Sequence, residues 1–269
     1  MSRSPRLYHR LHQDLLMGDR LAHYRALLRR LKDLGYRFHT MSEYVGLVAR
    51  GEAFADPVCL LRNDIDSDPA GAVRMFACDC QENVRATYFF RFSTLDPDLA
   101  ARITAHGSEV GYHYEEIATV ARKLGLTRAS EIDAHLDAIR GAFRNNVIRF
   151  RARAGVAARI IAAHGDFLNR RLGVTNRHLL TPALGLELGI VADAYDPVLH
   201  DRLAARFSDR PAPQWWRPAD PMQALAERPA TVSILVHPRQ WVCSPLQNMK
   251  LAVTRGAHEL TWRVRAAFG

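Results

Sequence analysis

At 269 residues, 48% hydrophobic and 24% charged, the chain has the composition of an ordinary globular protein with room for one large domain or two small ones. Its formal charge of +9, much of it arginine, favours anionic partners through the long-range field, but no lysine-rich tail or aromatic-and-basic motif points to nucleic acid. No apolar run approaches a membrane span, and the opening "MSRSPRLYHRLHQDLLMGDR" lacks the apolar core of a signal peptide, so a cytoplasmic protein is expected.

Apolar residues between Leu15 and Leu34 recur at spacings of three and four, which predicts an amphipathic helix stopped by Gly35. "GYRFHTMSEYVGLVARGE" reads as a short extended piece, a Ser42 cap and a second helix. Val58 to Leu61 is a buried strand by its continuous apolar run, and Pro69 opens a helix for which Asp68 is the N-cap. Cys78 and Cys80, two apart in that helix, face different ways; with Cys59 and Cys243 they lack zinc-knuckle spacing and are read as thiols. Strand "RATYFFRF", helix "DPDLAARITAHG" and strand "SEVGYHY" follow, then a helix from Ser130 to Arg144 and a strand at Arg159 to Ala163. A helix near Asn169 to Leu180, short strands near Ile190 and Phe207, a strand at Thr231 to Val236 and a last helix from about Pro245 to Ala267 complete the order. Strand-then-helix units of this kind imply a parallel sheet, open or closed as a barrel, with ligands gathered at the carboxyl ends of the strands.

That end is where the chemistry-bearing residues fall. Asp64 and Asp66 follow the Val58 strand, His113 ends "SEVGYHY", His164 ends "RIIAAHG" and His237 ends "TVSILVHP". Neutral imidazole and carboxylate are a normal ligand set for a divalent cation, and three protein ligands leave room for water and a substrate oxygen. One aspartate can bind the cation while its neighbour serves as general base, its pKa held low by the charge beside it. A histidine opposite can protonate a departing amine or alcohol, which is the machinery of a hydrolase acting on an amide or ester.

"LLRNDIDSDP", "ATYFFRF", "ITAHGSEVGYHYE" and "SILVHPRQW", in this order, resemble the polysaccharide deacetylases of the NodB-homology group, carbohydrate esterase family four, over most of the chain from Tyr36 to Trp241. The resemblance implies a single α/β domain, a distorted (β/α) barrel of about seven parallel strands, with residues 1–55 as a helical lead-in. It also implies metal-dependent removal of an acetyl group from an N-acetylated sugar. Carried over by position, Asp64 matches the base, Asp66 and His113 match metal ligands, and His237 matches the proton donor to the leaving group. The family's two acids are adjacent, whereas Ile65 separates them here, and its second metal histidine would fall at Ile117, which cannot coordinate. His164 is the candidate third ligand and Glu115 the local alternative; His106 is read as a helix-stop residue. The run Arg149, Arg151 and Arg153 lies where the family has an arginine that orients the base, a task Arg62 can share.

Substrate contacts are expected from Arg62, Glu115, Arg210, Trp216 and Trp241, since indole faces stack on sugar rings and guanidinium groups read carboxylate or phosphate. Asn176 and Arg177 are further possibilities. The expected cofactor is a divalent metal, zinc first, with cobalt, nickel and manganese compatible. An N-acetylated sugar or glycosylated small molecule is the expected substrate. The alternative is a barrel that has lost its metal site at Ile117 and binds a sugar or anion without turnover.

Overall fold

Strand β2 (Val58–Ile65) runs through the middle of the sheet with every residue buried, its first half already visible as the apolar run Val58 to Leu61. The computed structural model describes residues 18–268. Around β2 it places β1 (Arg37–Phe38), β3 (Thr87–Phe90), β4 (Glu109–Tyr114), β5 (Ile160–Ala163), β6 (Ala192–Asp193), β7 (Ala205–Asp209), β8 (Trp216–Arg217) and β9 (Thr231–Val236). Their order across the sheet is β6-β5-β4-β3-β2-β9-β7-β8, with β1 also on β2; every pairing is parallel except β7 with β8. The protein is thus a single α/β domain whose mostly parallel sheet curls into a half-barrel, with β6 and β8 as its two edges.

The helices are α1 (Leu21–Asp33), α2 (Met41–Ala49), α3 (Pro69–Glu82), α4 (Pro97–Ala105), α5 (Glu116–Leu124), α6 (Ala129–Ala134) and α7 (Leu136–Ala154). After them come α8 (Phe167–Leu172), α9 (Pro182–Glu187), α10 (Pro197–His200), α11 (Pro221–Ala224) and α12 (Pro245–Phe268). Leu15 and Leu16 of the first expected helix lie outside the described residues; α1 buries Tyr24, Leu27, Leu28 and Leu31 against the body. Helix α2 is capped by Thr40 rather than Ser42, because Thr40 is followed three residues later by Glu43 and the two complete a capping box. Asp68 does cap α3, accepting the Gly71 N–H at 2.9 Å with Pro69 in the first turn. The single helix expected from Ser130 to Arg144 is two, meeting at His135, and α7 runs on to Ala154. Helix α5 was not expected at all.

The curled sheet separates two apolar clusters. The larger fills the space between sheet and helices, with Ile65, Tyr88, Phe90, Tyr112 and Ile161 among its sheet members. The smaller includes Val58, Leu60, Phe89, Ile160 and Ala162 and is closed by Met41, Tyr44, Val45 and Val48 of α2. Residues two apart on a strand share a face. Val58, Leu60, Arg62 and Asp64 therefore line up together, apolar at the amino end and charged at the carboxyl end of one strand face.

Gly111 sets how closely β3, β4 and β5 pack. A Cβ there would lie 2.5 Å from the Phe89 ring and 2.8 Å from the Ile160 carbonyl oxygen, and the latter is backbone that cannot turn aside. Overpacking a core of this kind costs about 1–3 kcal/mol. Gly111→Ala is expected to lower the urea midpoint by that much stability, and an unchanged midpoint would show that the β4–β5 spacing yields freely.

Candidate metal centre

Because β2 stays extended to Ile65, the intervening isoleucine is what brings the two acids to the same side: Arg62, Asp64 and Asp66 alternate with Asn63 and Ile65. Arg62 and Asp64 are both buried. Arg62 donates from Nε to Asp64 Oδ1 and from Nη2 to Oδ2, each at 2.7 Å, and from Nη2 to the Tyr195 hydroxyl at 3.1 Å. Burial alone would raise the Asp64 pKa; Arg62, then His113 and His237, hold it below the ordinary carboxylate value. Burial opposes ionisation of Asp66 as well, and His164 with His113 and His237 keep it well below that value.

His113 sits on β4, its Nδ1 2.9 Å from the Ala162 carbonyl oxygen. A carbonyl only accepts, so Nδ1 carries a proton and Nε2 is the atom turned to the acids, 3.2 Å from Asp66 Oδ1 and 3.4 Å from Asp64 Oδ2. His164 continues the β5 ladder, its N–H donating to the Tyr114 carbonyl at 2.9 Å, while its own carbonyl accepts Asn176 Nδ2 at 2.7 Å. Its Nε2 lies 3.6 Å from Asp66 Oδ1. The ligand atoms of Asp66, His113 and His164 all fall within 4.8 Å of one another. Asp66 Oδ1, shut off from solvent, has no hydrogen-bond partner. A buried carboxylate oxygen facing two imidazole nitrogens without a donor is the arrangement a cation would complete, and one oxygen with two nitrogens is a fitting donor set for a divalent ion.

Ile117 is fully buried on the core face of α5, and the third candidate donor is His164 at the end of the next strand. Glu115 does not replace it and does not reach toward a substrate: both its oxygens accept from Arg91 at 2.7 Å, and Oε2 lies 3.3 Å from His164 Nδ1. Burial works against its charge, and His164 and Arg91 overcome this, bringing its pKa down to about 2. Arg91 also donates to the Asp66 carbonyl at 2.8 Å, so one guanidinium ties two of the three donor residues' neighbourhoods together. A second grouping, Glu115, His164 and Asp166, shares His164, but its carboxylates are already engaged by Arg91 and by Arg122.

His237, at the end of β9, faces the centre from the other side, Nε2 4.0 Å from Asp66 Oδ2. Its Nδ1 is 2.6 Å from Asp209 Oδ1; Asp209 Oδ2 accepts the His237 N–H at 2.7 Å and Trp241 Nε1 at 2.9 Å. Burial disfavours the imidazolium, but Asp209, with Asp66 and Asp64 behind it, more than offsets that and raises its pKa to about 10. Asp209 closes β7 as His237 closes β9, so the strand-end rule would have found it.

Several expected contacts are corrected. Arg62 is spent on Asp64 and Tyr195 and is not exposed to a substrate. Trp216 and Trp241 are buried, their ring centroids 5.6 Å apart, and present no face to a sugar. Arg149, Arg151 and Arg153 lie on α7, where Arg149 covers Phe92 and Arg153 reaches the Leu95 carbonyl; Arg62 has the place beside Asp64. Asn176 holds the His164 backbone and Arg177 pairs with Asp193 and Asp196. His106 is the C-cap of α4, as read. Arg210 does line a cavity of about 770 Å³ together with Asp64, Asp66, His164 and His237.

No protein-family model matches the chain, and no curated protein does. Among solved structures, that of the Streptococcus pyogenes deacetylase PplD in complex with acetate is similar, at 11% identity and a TM-score of 0.44, over 86% of this chain and 85% of that one. This is a distant likeness and assigns no residue or activity.

Elemental analysis of the purified protein is expected to find one divalent ion per chain, lost in His113→Ala and His164→Ala. Glu115→Gln, which leaves the ligands but removes the carboxylate behind His164, should weaken binding by about 10–100-fold. Full metal retention in His164→Ala would exclude the triad.

Proposed function

We propose that this protein is a metal-dependent hydrolase that removes an N-acetyl group from a substrate containing an amino sugar. The observation that carries the reading is the flanking of the Asp66, His113 and His164 donors by two differently prepared acid–base groups at one end of the sheet: Asp64 held anionic by Arg62, and His237 held protonated by Asp209. Carboxylates and imidazoles with environments that push their proton affinities apart are the recognisable signature of an assigned base and acid.

A divalent cation held by Asp66, His113 and His164, zinc or one of cobalt, nickel and manganese, would supply Lewis acidity that polarises the amide carbonyl and makes water a better nucleophile at neutral pH. The chain's own groups do the rest. Asp64, its two oxygens fixed by the Arg62 fork, accepts the proton of the attacking water. His237, its Nδ1 anchored on Asp209, gives the Nε2 proton to the leaving amine as the C–N bond breaks. Water and amide become acetate and amine, with one proton taken at Asp64 and one delivered from His237. The arrival of His164 beside Asp66 supports turnover over the binding-only alternative, which required the third donor to point elsewhere.

Acetate release from a panel of N-acetylated sugars tests the reading, and a metal-loaded protein that releases none from any of them would sink it. In Asp64→Asn, kcat is expected to fall by about 10²–10⁴ with KM nearly unchanged; wild-type rates would remove Asp64 as the base. The high His237 pKa depends on Asp209, and the acid must be protonated to act. Asp209→Asn should therefore move the alkaline limb of the kcat–pH profile to lower pH, and an unmoved limb would separate Asp209 from the proton donor.

A further inference from the structure

The acids on the cavity wall are matched within the protein. Asp64 has Arg62, Asp209 has His237, Asp166 has Arg122 at 2.8 Å, and Glu259 on α12 has Arg263 at 2.7 Å and Arg171 at 3.3 Å. Asp68 accepts the Gly71 N–H and the Ser244 hydroxyl, and Asp66 belongs to the metal triad. Two arginines of the same wall have no such match. Among the described residues neither Arg170, on α8 just after the His164 loop, nor Arg210, next to Asp209, makes an ion pair. The Nε of Arg210 is shut off from solvent and has no hydrogen-bond partner.

What the cavity wall leaves uncompensated is the positive charge of these two guanidinium groups, which an oxyanion entering the cavity would complement. The planar fork suits carboxylate or phosphate oxygens better than sugar hydroxyls. The cavity, about 770 Å³, lies in the upper part of the ~300–1,000 Å³ that small-ligand pockets span, which leaves space beyond one sugar ring for such a group.

We propose, resting on the hydrolase reading above, that the substrate is an N-acylated sugar bearing an oxyanion, a phosphate ester or a carboxylate, bound by Arg210 and Arg170. The test is calorimetric binding to the full-length Asp64→Asn protein, in which turnover is suppressed, of N-acetylglucosamine, its 1-phosphate and 6-phosphate, and N-acetylmuramic acid. At least one anionic member should bind about tenfold or more tightly than the neutral sugar, and the phosphate and carboxylate arms distinguish the two sources of charge. Arg170→Gln and Arg210→Gln should each reduce the anionic-to-neutral affinity ratio about tenfold. Arg128→Gln, at an exposed arginine paired with Glu131 off the cavity wall, should leave the ratio alone. Arg170 is exposed, so its variant reads the site even where Arg210→Gln disturbs folding. Equal affinity across the panel, no anionic binding, or an equal loss in Arg128→Gln overturns the proposal. Acetate release by the wild-type protein is scored separately. Arginine-dependent anion binding without release rejects the hydrolase and keeps the anion site, whereas release from neutral and anionic sugars at equal kcat/KM does the reverse.

Discussion

Arg62 and Asp64 lie two residues apart on a strand with no exposed residue, and each compensates the other's buried charge. An unpaired ion in such a place would neutralise or drag water in. Paired through both oxygens, with the guanidinium also over the Tyr195 ring at 4.7 Å, the two form a fixed charged floor beneath the carboxyl end of the sheet. Asp64 cannot rotate without breaking two hydrogen bonds, so the side from which it meets a ligand is set before any ligand arrives. Asp66 inherits the same face, and His113, His164 and His237 come to it from β4, β5 and β9.

Much of this arrangement was legible in the sequence because parallel strands all end on one side. Residues following apolar runs that are far apart in the chain, such as Asp66 and His237, must then be close in space. The α/β class, the strand cores and the Asp68 cap followed from local patterns that packing did not override. The capping residue of α2 was misplaced between two hydroxyls. Only Thr40 has an acid three residues on, and that spacing was the discriminating signal. Helix α5 escaped although its apolar and charged residues alternate with helical period: it starts directly after the β4 strand at Glu115, with no capping side chain to mark where strand ends and helix begins.

What the sequence could not show was which polar groups were already committed. Arg62, Glu115 and Arg177 look like free binding groups on paper, yet each is engaged by a partner further along or back in the chain: Tyr195, Arg91 and Asp193 respectively. Trp216 and Trp241 look like a sugar platform and instead wedge behind Asp209, where the Trp241 N–H helps hold the carboxylate that holds His237. Local reading likewise marked Ile117 as a defect. His164, named from the end of the next strand, does fall beside Asp66 and His113, because a candidate coordination site requires convergent atoms and not a fixed interval between residues.

Strands at the rim of a sheet are a hazard for self-association, since their unpaired backbone groups can template another chain. Here the outermost members, β6 and β8, are two residues long each, and β8 is followed at once by Pro218, which has no N–H to offer. The half-barrel does not close among the described residues, and its two-residue rims offer a further strand only a few backbone groups to pair with.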